Sequence, residues 1–187
     1  EGKDEVILAD TPVKLMMKLH QIYSGTVKFE SGASKILDLT KAQFIKEKFK
    51  GKKIGIFSLP GAFTPTCSST HLPGYEAHYD ELIQEGGLDE VYCVSVNDSF
   101  VMNAWCKDQA IRNVKVIPDG NSEFTQGMGM ATTFKNRGFG QRSWRYSAVI
   151  TDGVVDKMWV EQGLSEDSDP DPFEVSGADV MLAYLLE

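Results

Sequence analysis

Apolar positions fall in short blocks whose spacing switches between the periods of strand and helix. Ile54-Gly55-Ile56-Phe57-Ser58-Leu59 is nearly continuous and predicts a central strand covered on both faces. Val91 to Val96 and Val114 to Ile117 predict two more strands. Between the first and second, Leu72, Tyr75, Tyr79, Leu82 and Ile83 keep helical spacing up to Gly86-Gly87, with Pro73-Gly74 expected to kink the helix. Asn97-Asp98-Ser99 can cap a helix over Phe100 to Gln109. Strand alternating with helix implies a parallel sheet. Tyr146 to Thr151 and Val154 to Val160 flank Asp152-Gly153, a strong hairpin signal, and add an antiparallel pair. Ser176 is expected to cap a last helix through Val180, Met181, Tyr184 and Leu185.

Upstream the pattern is weaker. Val27-Lys28-Phe29 and Ile36-Leu37-Asp38-Leu39 flank Ser31-Gly32-Ala33-Ser34 as the arms of a hairpin would. Thr40, with Gln43 three residues on, opens a helix whose stripe of Phe44, Ile45 and Phe49 stops at Gly51. Val6-Ile7-Leu8 is a short apolar run, and Val13 to Ile22 suits helix or strand equally. At 187 residues the chain supports one well-buried core and is short for two. The expected organisation is an N-terminal extension over 1–25 and a single α/β domain over 26–187, with a central mixed sheet flanked by helices.

Cys67 ends the loop Pro60-Gly61-Ala62-Phe63-Thr64-Pro65-Thr66 between the first central strand and its helix. If Thr64 is the N-cap and Pro65 the first helical residue, Cys67 takes the third position. There, unpaired N–H groups and the helix dipole favour an anion and lower a thiol pKa. Since the thiolate is the reactive form, Cys67 is a candidate nucleophile, although a free cysteine is most commonly a small buried hydrophobe.

The stretch from Pro60 to Cys67, continued by Ser68-Ser69-Thr70-His71-Leu72-Pro73-Gly74-Tyr75, resembles the active-site segment of peroxiredoxins, most closely the atypical type II or five-like branch. The family spacing is Pro, three residues, Thr, two residues, Cys, filled here by Pro60, Thr64 and Cys67. The likeness runs from about Gly51 to Tyr184. It implies a thioredoxin-like fold, which the order of strands and helices also suggests, and a thiol peroxidase acting on hydrogen peroxide and alkyl hydroperoxides. By the same resemblance Cys67 is the attacking thiol, Thr64 and Arg145 bind the peroxide oxygens, and Pro60 shields the sulfur. Arg145 by itself would read as a surface charge on a strand, and Arg142 as an exposed or interface cation. His71, one turn after Cys67, is expected to pack or hydrogen-bond near the pocket rather than act as a base, and Phe63 is expected beside it.

Cys93 admits two readings: a core residue of its strand, or the second cysteine that some plant-like type II members carry at the matching strand. A disulfide needs Cα atoms within roughly 7 Å and would require a strand-buried thiol to be released, which favours the core role. Some five-like members have a resolving cysteine before the final helix, yet Gly163 to Gly177 contains none. The resemblance then implies a one-cysteine enzyme recycled by glutathione and glutaredoxin, with thioredoxin as the alternative through a Cys67–Cys93 disulfide. A disulfide oxidoreductase is disfavoured because Thr64 stands where its first cysteine would be. A redox sensor or holdase is a third reading. The family also implies a homodimer, with Phe63, Leu72 and Phe100 as possible contacts.

A net charge of −8 argues against nucleic acid and anionic lipid as partners, and no apolar run approaches the roughly 20 residues of a membrane span. Three cysteines do not form a secreted disulfide framework, so a reducing compartment is expected, cytosol or an organelle after loss of a targeting peptide. Cys106 reads as structural. His20 and His78 have no recognisable partner, and no spacing of Cys and His suits a metal site, so no metal is expected, nor another cofactor. The acidic stretch Glu166 to Pro172 reads as a solvated loop.

Overall fold

Ile54 to Ser58 are all buried because their strand occupies the middle of a five-stranded sheet. The structure is a computed structural model describing residues 26–28, 34–36 and 47–187. The chain divides into two compact units, Glu1–Lys48 and Phe49–Glu187, and each is described by itself.

In the first unit, β1 (Thr26–Lys28) pairs antiparallel with β2 (Ser34–Ile36), Thr26 opposite Ile36 and Lys28 opposite Ser34. This is the expected hairpin, with Ser34 in a strand instead of in the loop. Phe29 and residues 37–39, the run 6–8, the segment 13–22 and the proposed helix start at Thr40 and Gln43 lie outside the described residues. The helix expected to end before Gly51 is helical at Glu47, Lys48 and Phe49.

The second unit is built on the order β5-β4-β3-β8-β9. Strands β3 (Lys53–Ser58), β4 (Glu90–Ser95) and β5 (Lys115–Pro118) run parallel, whereas β8 (Tyr146–Thr151) and β9 (Val154–Val160) are antiparallel. Helices α1 (Leu72–Ala77) and α2 (Tyr79–Gln84) connect β3 to β4, and α3 (Ser99–Asp108) connects β4 to β5. Asp98 caps α3, its carboxylate accepting from the Val101 N–H at 2.9 Å. At the β8–β9 turn, Asp152 and Gly153 have φ of 50° and 79°, the left-handed pair a two-residue hairpin needs. The final helix α5 (Ala178–Leu185) completes a thioredoxin-like fold. Its N-cap position is Gly177; Ser176, expected there, donates its hydroxyl to Glu161 instead. No helix among the described residues is long and apolar enough to cross a membrane.

Three elements between β5 and β8 escape the sequence pattern: α4 (Glu123–Gly127), β6 (Ala131–Phe134) and β7 (Gly140–Ser143). Each has four or five residues, too few to establish a period. β6 and β7 form a separate antiparallel pair.

The long helix expected after the loop is broken twice. Cys67–His71 forms a π-helical turn in which the Leu72 N–H bonds the Cys67 carbonyl, and His78, at φ −91° and ψ 8°, separates α1 from α2. Pro73 has no N–H, and its ring crowds the carbonyl four residues earlier, so the wider turn before it is the local response to the expected kink.

The core gathers Phe57, Leu59, Leu72, Tyr75, Leu82, Met102, Trp105 and Met181 around β3 and β4. Buried Gly86, after α2, lies where a Cβ would meet the Leu82 carbonyl at 2.7 Å and Leu185 Cδ1 at 2.9 Å. The backbone oxygen cannot swing aside. Gly86→Ala is therefore expected to lower stability in urea denaturation by about 1–3 kcal/mol; an unchanged midpoint would show that α2 and α5 pack less tightly than described.

Candidate active site

The polypeptide leaves β3 at Ser58 and re-enters helix at Pro65. Thr64 is the N-cap by backbone, its carbonyl accepting from the Ser68 N–H at 3.0 Å. Its hydroxyl does not cap: it donates to the Gly61 carbonyl at 2.7 Å. Phe63 has φ of 61°, a left-handed conformation costing a bulky residue on the order of 1 kcal/mol, and is 54% exposed. The neighbouring Ala62 N–H donates to Asn97 Oδ1 at 3.0 Å, and Ser95 Oγ donates to the same oxygen at 2.7 Å. Asn97, just past β4, thus ties down the loop. Pro60, at the start of the loop, is buried.

Cys67 is fully buried. Arg145 reaches it because β8 pairs antiparallel with β3, Ser58 opposite Tyr146, so the residue before β8 arrives where the loop leaves β3. Arg145 is 1% exposed, not a surface charge. Its Nη2 lies 3.6 Å from Cys67 Sγ and 2.5 Å from Asp171 Oδ1, and its Nη1 lies 3.0 Å from His71 Nδ1. Its Nε is buried with no hydrogen-bond partner.

His71 Nε2 lies 3.1 Å from the Ser176 carbonyl. A guanidinium only donates and a carbonyl only accepts, so both contacts are satisfied by one tautomer, with the proton on Nε2. Burial first, and then the Arg145 charge, pushes the imidazole pKa well below its ordinary value, opposed by the carbonyl contact. His71 is neutral and orients the guanidinium. Phe173 flanks both, 4.9 Å from the imidazole and 5.8 Å from the guanidinium carbon.

The Ser176 carbonyl is itself held in place. Buried Glu161 accepts at Oε1 from the N–H groups of Glu174, Val175 and Ser176, each at 2.9 Å, and from Ser176 Oγ at 2.7 Å. Burial alone would raise its pKa, but these bonds outweigh that and lower it.

Cys67, His71 and Arg145 therefore form one buried cluster, with Pro60 and Thr64 in the adjoining loop. Cys93 is fully buried on β4, and burial, reinforced by Cys67 and Cys106, pushes its thiol pKa well up against the opposing effect of Arg145. Half-buried Cys106 is raised by burial and then by Glu76. All three cysteines are free. Arg142 is not simply exposed: it is half-buried, donates from Nη1 to the Val96 carbonyl, and sits 5.8 Å over Phe139, with burial lowering its pKa. Leu72 is fully buried core and cannot be a contact residue, whereas Phe100 is 81% exposed.

A model of the Redoxin family matches residues 30–178. A peroxiredoxin of Synechocystis sp. is 55% identical over 137 residues, 73% of this chain and 72% of that protein. The chain belongs to the peroxiredoxins. A hybrid peroxiredoxin of Haemophilus influenzae is 53% identical over 140 residues, 74% of this chain and 56% of that protein. The solved structure of a Plasmodium falciparum antioxidant protein, a 1-Cys peroxiredoxin, aligns with a TM-score of 0.74 at 40% identity, covering 75% of this chain and 82% of that one. This peroxiredoxin is accordingly a thiol-dependent peroxidase. Three residues of its site escaped the sequence reading. Asp171 lies in what read as a solvated acidic stretch, Ser176 read as the cap of the last helix, and Glu161 stands in no local pattern that marks it.

Replacing Glu161 by Ala leaves four donors without their acceptor, an expected loss of about 3 kcal/mol at neutral pH. Because the folded-state pKa is depressed, the stabilisation is complete above the unfolded value and is lost as pH falls through the folded one. Denaturation midpoints below about pH 4 should thus fall more steeply in wild type than in Glu161→Gln; parallel curves would contradict this role for the carboxylate.

Proposed function

We propose that Cys67 is the peroxidatic residue and that Thr64, Arg145 and Pro60 complete its site. The observation that carries this reading is the guanidinium of Arg145, almost entirely buried and 3.6 Å from Cys67 Sγ. A cation held there favours negative charge on sulfur and on the oxygen that departs. The thiolate attacks one oxygen of hydrogen peroxide or an alkyl hydroperoxide. An S–O bond forms, the O–O bond breaks, and the leaving oxygen takes up a proton to depart as water or alcohol, leaving Cys67 sulfenic acid. The Thr64 hydroxyl proton is committed to Gly61, so its oxygen offers lone pairs to the peroxide O–H. The unpartnered Nε–H of Arg145 is a donor available to a peroxide oxygen. Pro60 covers the site from bulk water.

Recycling requires a thiol from outside. Glutathione attacks the sulfenic sulfur, water leaves, and glutaredoxin reduces the mixed disulfide by exchange. The support is twofold: residues 163–177 contain no cysteine, and Cys93 is a protonated core thiol on a central strand. A second reading, a Cys67–Cys93 disulfide reduced by thioredoxin, rests on both cysteines belonging to one core cluster. Either route needs a reducing compartment. For a homodimer, exposed Phe63 and Phe100 are the candidate contacts.

Peroxide consumption coupled to glutathione and glutaredoxin, and separately to thioredoxin, tests the scheme. Cys67→Ser should show no turnover, Arg145→Lys and Thr64→Val should each lose about 10²-fold or more in kcat/KM, and Cys93→Ser should match wild type with glutaredoxin. Retained turnover in Cys67→Ser would reject the site. Turnover with thioredoxin alone, lost in Cys93→Ser, would establish the second route.

A further inference from the structure

Arg145 has an ion pair that the reaction scheme leaves unused. The nitrogen that faces Cys67 Sγ also donates to Asp171 Oδ1 at 2.5 Å. His71, at the other terminal nitrogen, is a neutral acceptor, so Asp171 supplies the one carboxylate in contact with this guanidinium among the described residues. A buried cation without such a partner is costly.

Asp171 is also held in place. It lies between Pro170 and Pro172, which restrict the backbone on both sides. Upstream, the Ser165 carbonyl accepts from Thr132 Oγ1 at 2.8 Å, and Asp167 Oδ1 accepts from the N–H groups of Lys135 and Asn136 at 2.5 and 3.2 Å. Downstream, Glu161 gathers residues 174–176. The side chain of Asp171 is 26% exposed, so the pair joins the solvent edge of the loop to the buried sulfur site.

We propose that Asp171 is a positioning residue for peroxide reduction: its carboxylate fixes the Arg145 guanidinium against Cys67 and offsets part of its charge. The inference rests on the peroxidase reading of Cys67. It separates two effects. Losing the carboxylate loosens the guanidinium, which slows the reaction, whereas losing only its negative charge leaves Arg145 a stronger attractor of negative charge at sulfur.

The titratable groups about the guanidinium are Cys67 and His71 on the active-site helix, Cys93 on β4, and Asp171 on the loop, with Tyr75 against His71. Burial, with the Arg145 charge adding to it, keeps His71 neutral, and burial leads in keeping Cys93 and Tyr75 protonated; peptide mass separates Cys67 from half-buried Cys106.

The experiment compares wild type, Asp171→Asn and Asp171→Ala in two readouts: stopped-flow peroxide consumption, and alkylation of Cys67 by iodoacetamide as a function of pH, followed by peptide mass. Asp171→Asn retains an oxygen acceptor without the charge. Both profiles should move to lower pH, with a smaller loss of rate at neutral pH than Asp171→Ala shows. Asp171→Ala should lose about 10- to 100-fold in kcat/KM while still melting cooperatively. Variants that match wild type in both readouts would overturn the role of Asp171 and leave the peroxidase reading intact. A wild-type protein that consumes no peroxide would overturn that reading, and this role with it, whatever alkylation shows.

Discussion

An arginine with only 1% of its surface in water must be neutralised and hydrogen-bonded by its surroundings, and much of this molecule around Arg145 answers that demand. Asp171 supplies the opposite charge and His71 a neutral acceptor. Each partner brings its own requirement. His71 must have its other nitrogen satisfied, which the Ser176 carbonyl does, and that carbonyl is fixed because Glu161 binds the three N–H groups of residues 174–176. The chain of dependence runs from a carboxylate just after β9, through a loop and an imidazole, to a cation beside a sulfur.

The backbone delivers the sulfur to the same point by different means. β3 ends against β8, so the loop carrying Thr64 and the residue just before Tyr146 are brought together by register. The loop is held by Asn97 at Ala62, which lets Phe63 adopt a left-handed conformation, and the π turn at Cys67–His71 adjusts the helix ahead of Pro73. Both irregularities flank the thiol, as expected where geometry is set by chemistry more than by regular packing.

Much of this was legible in the sequence. The β8–β9 hairpin follows from Asp152-Gly153 between two apolar runs, and β3, β4 and α3 from their periods, because local chemistry alone determines them. The prominence of Cys67 was legible from its loop and the Pro60-Thr64 spacing. The partners of Arg145 were not. Asp171 resembles any acidic loop residue until tertiary contacts bring it to a buried cation, and Glu161 is marked only by the N–H groups it collects far along the chain. Ser176 misled for a related reason: a hydroxyl before a helix suits an N-cap, but the cap falls one residue later, at Gly177, and the hydroxyl donates to the Glu161 carboxylate.

The central claim, that Cys67 reduces peroxide without an internal partner, is tested most directly by intact mass after one equivalent of hydrogen peroxide and a rapid quench, with peptide mapping of Cys67, Cys93 and Cys106. The account predicts the gain of a single oxygen confined to Cys67. Loss of two hydrogens with a Cys67–Cys93 link would contradict the absence of an internal partner, and an unmodified Cys67 would contradict the account at its base.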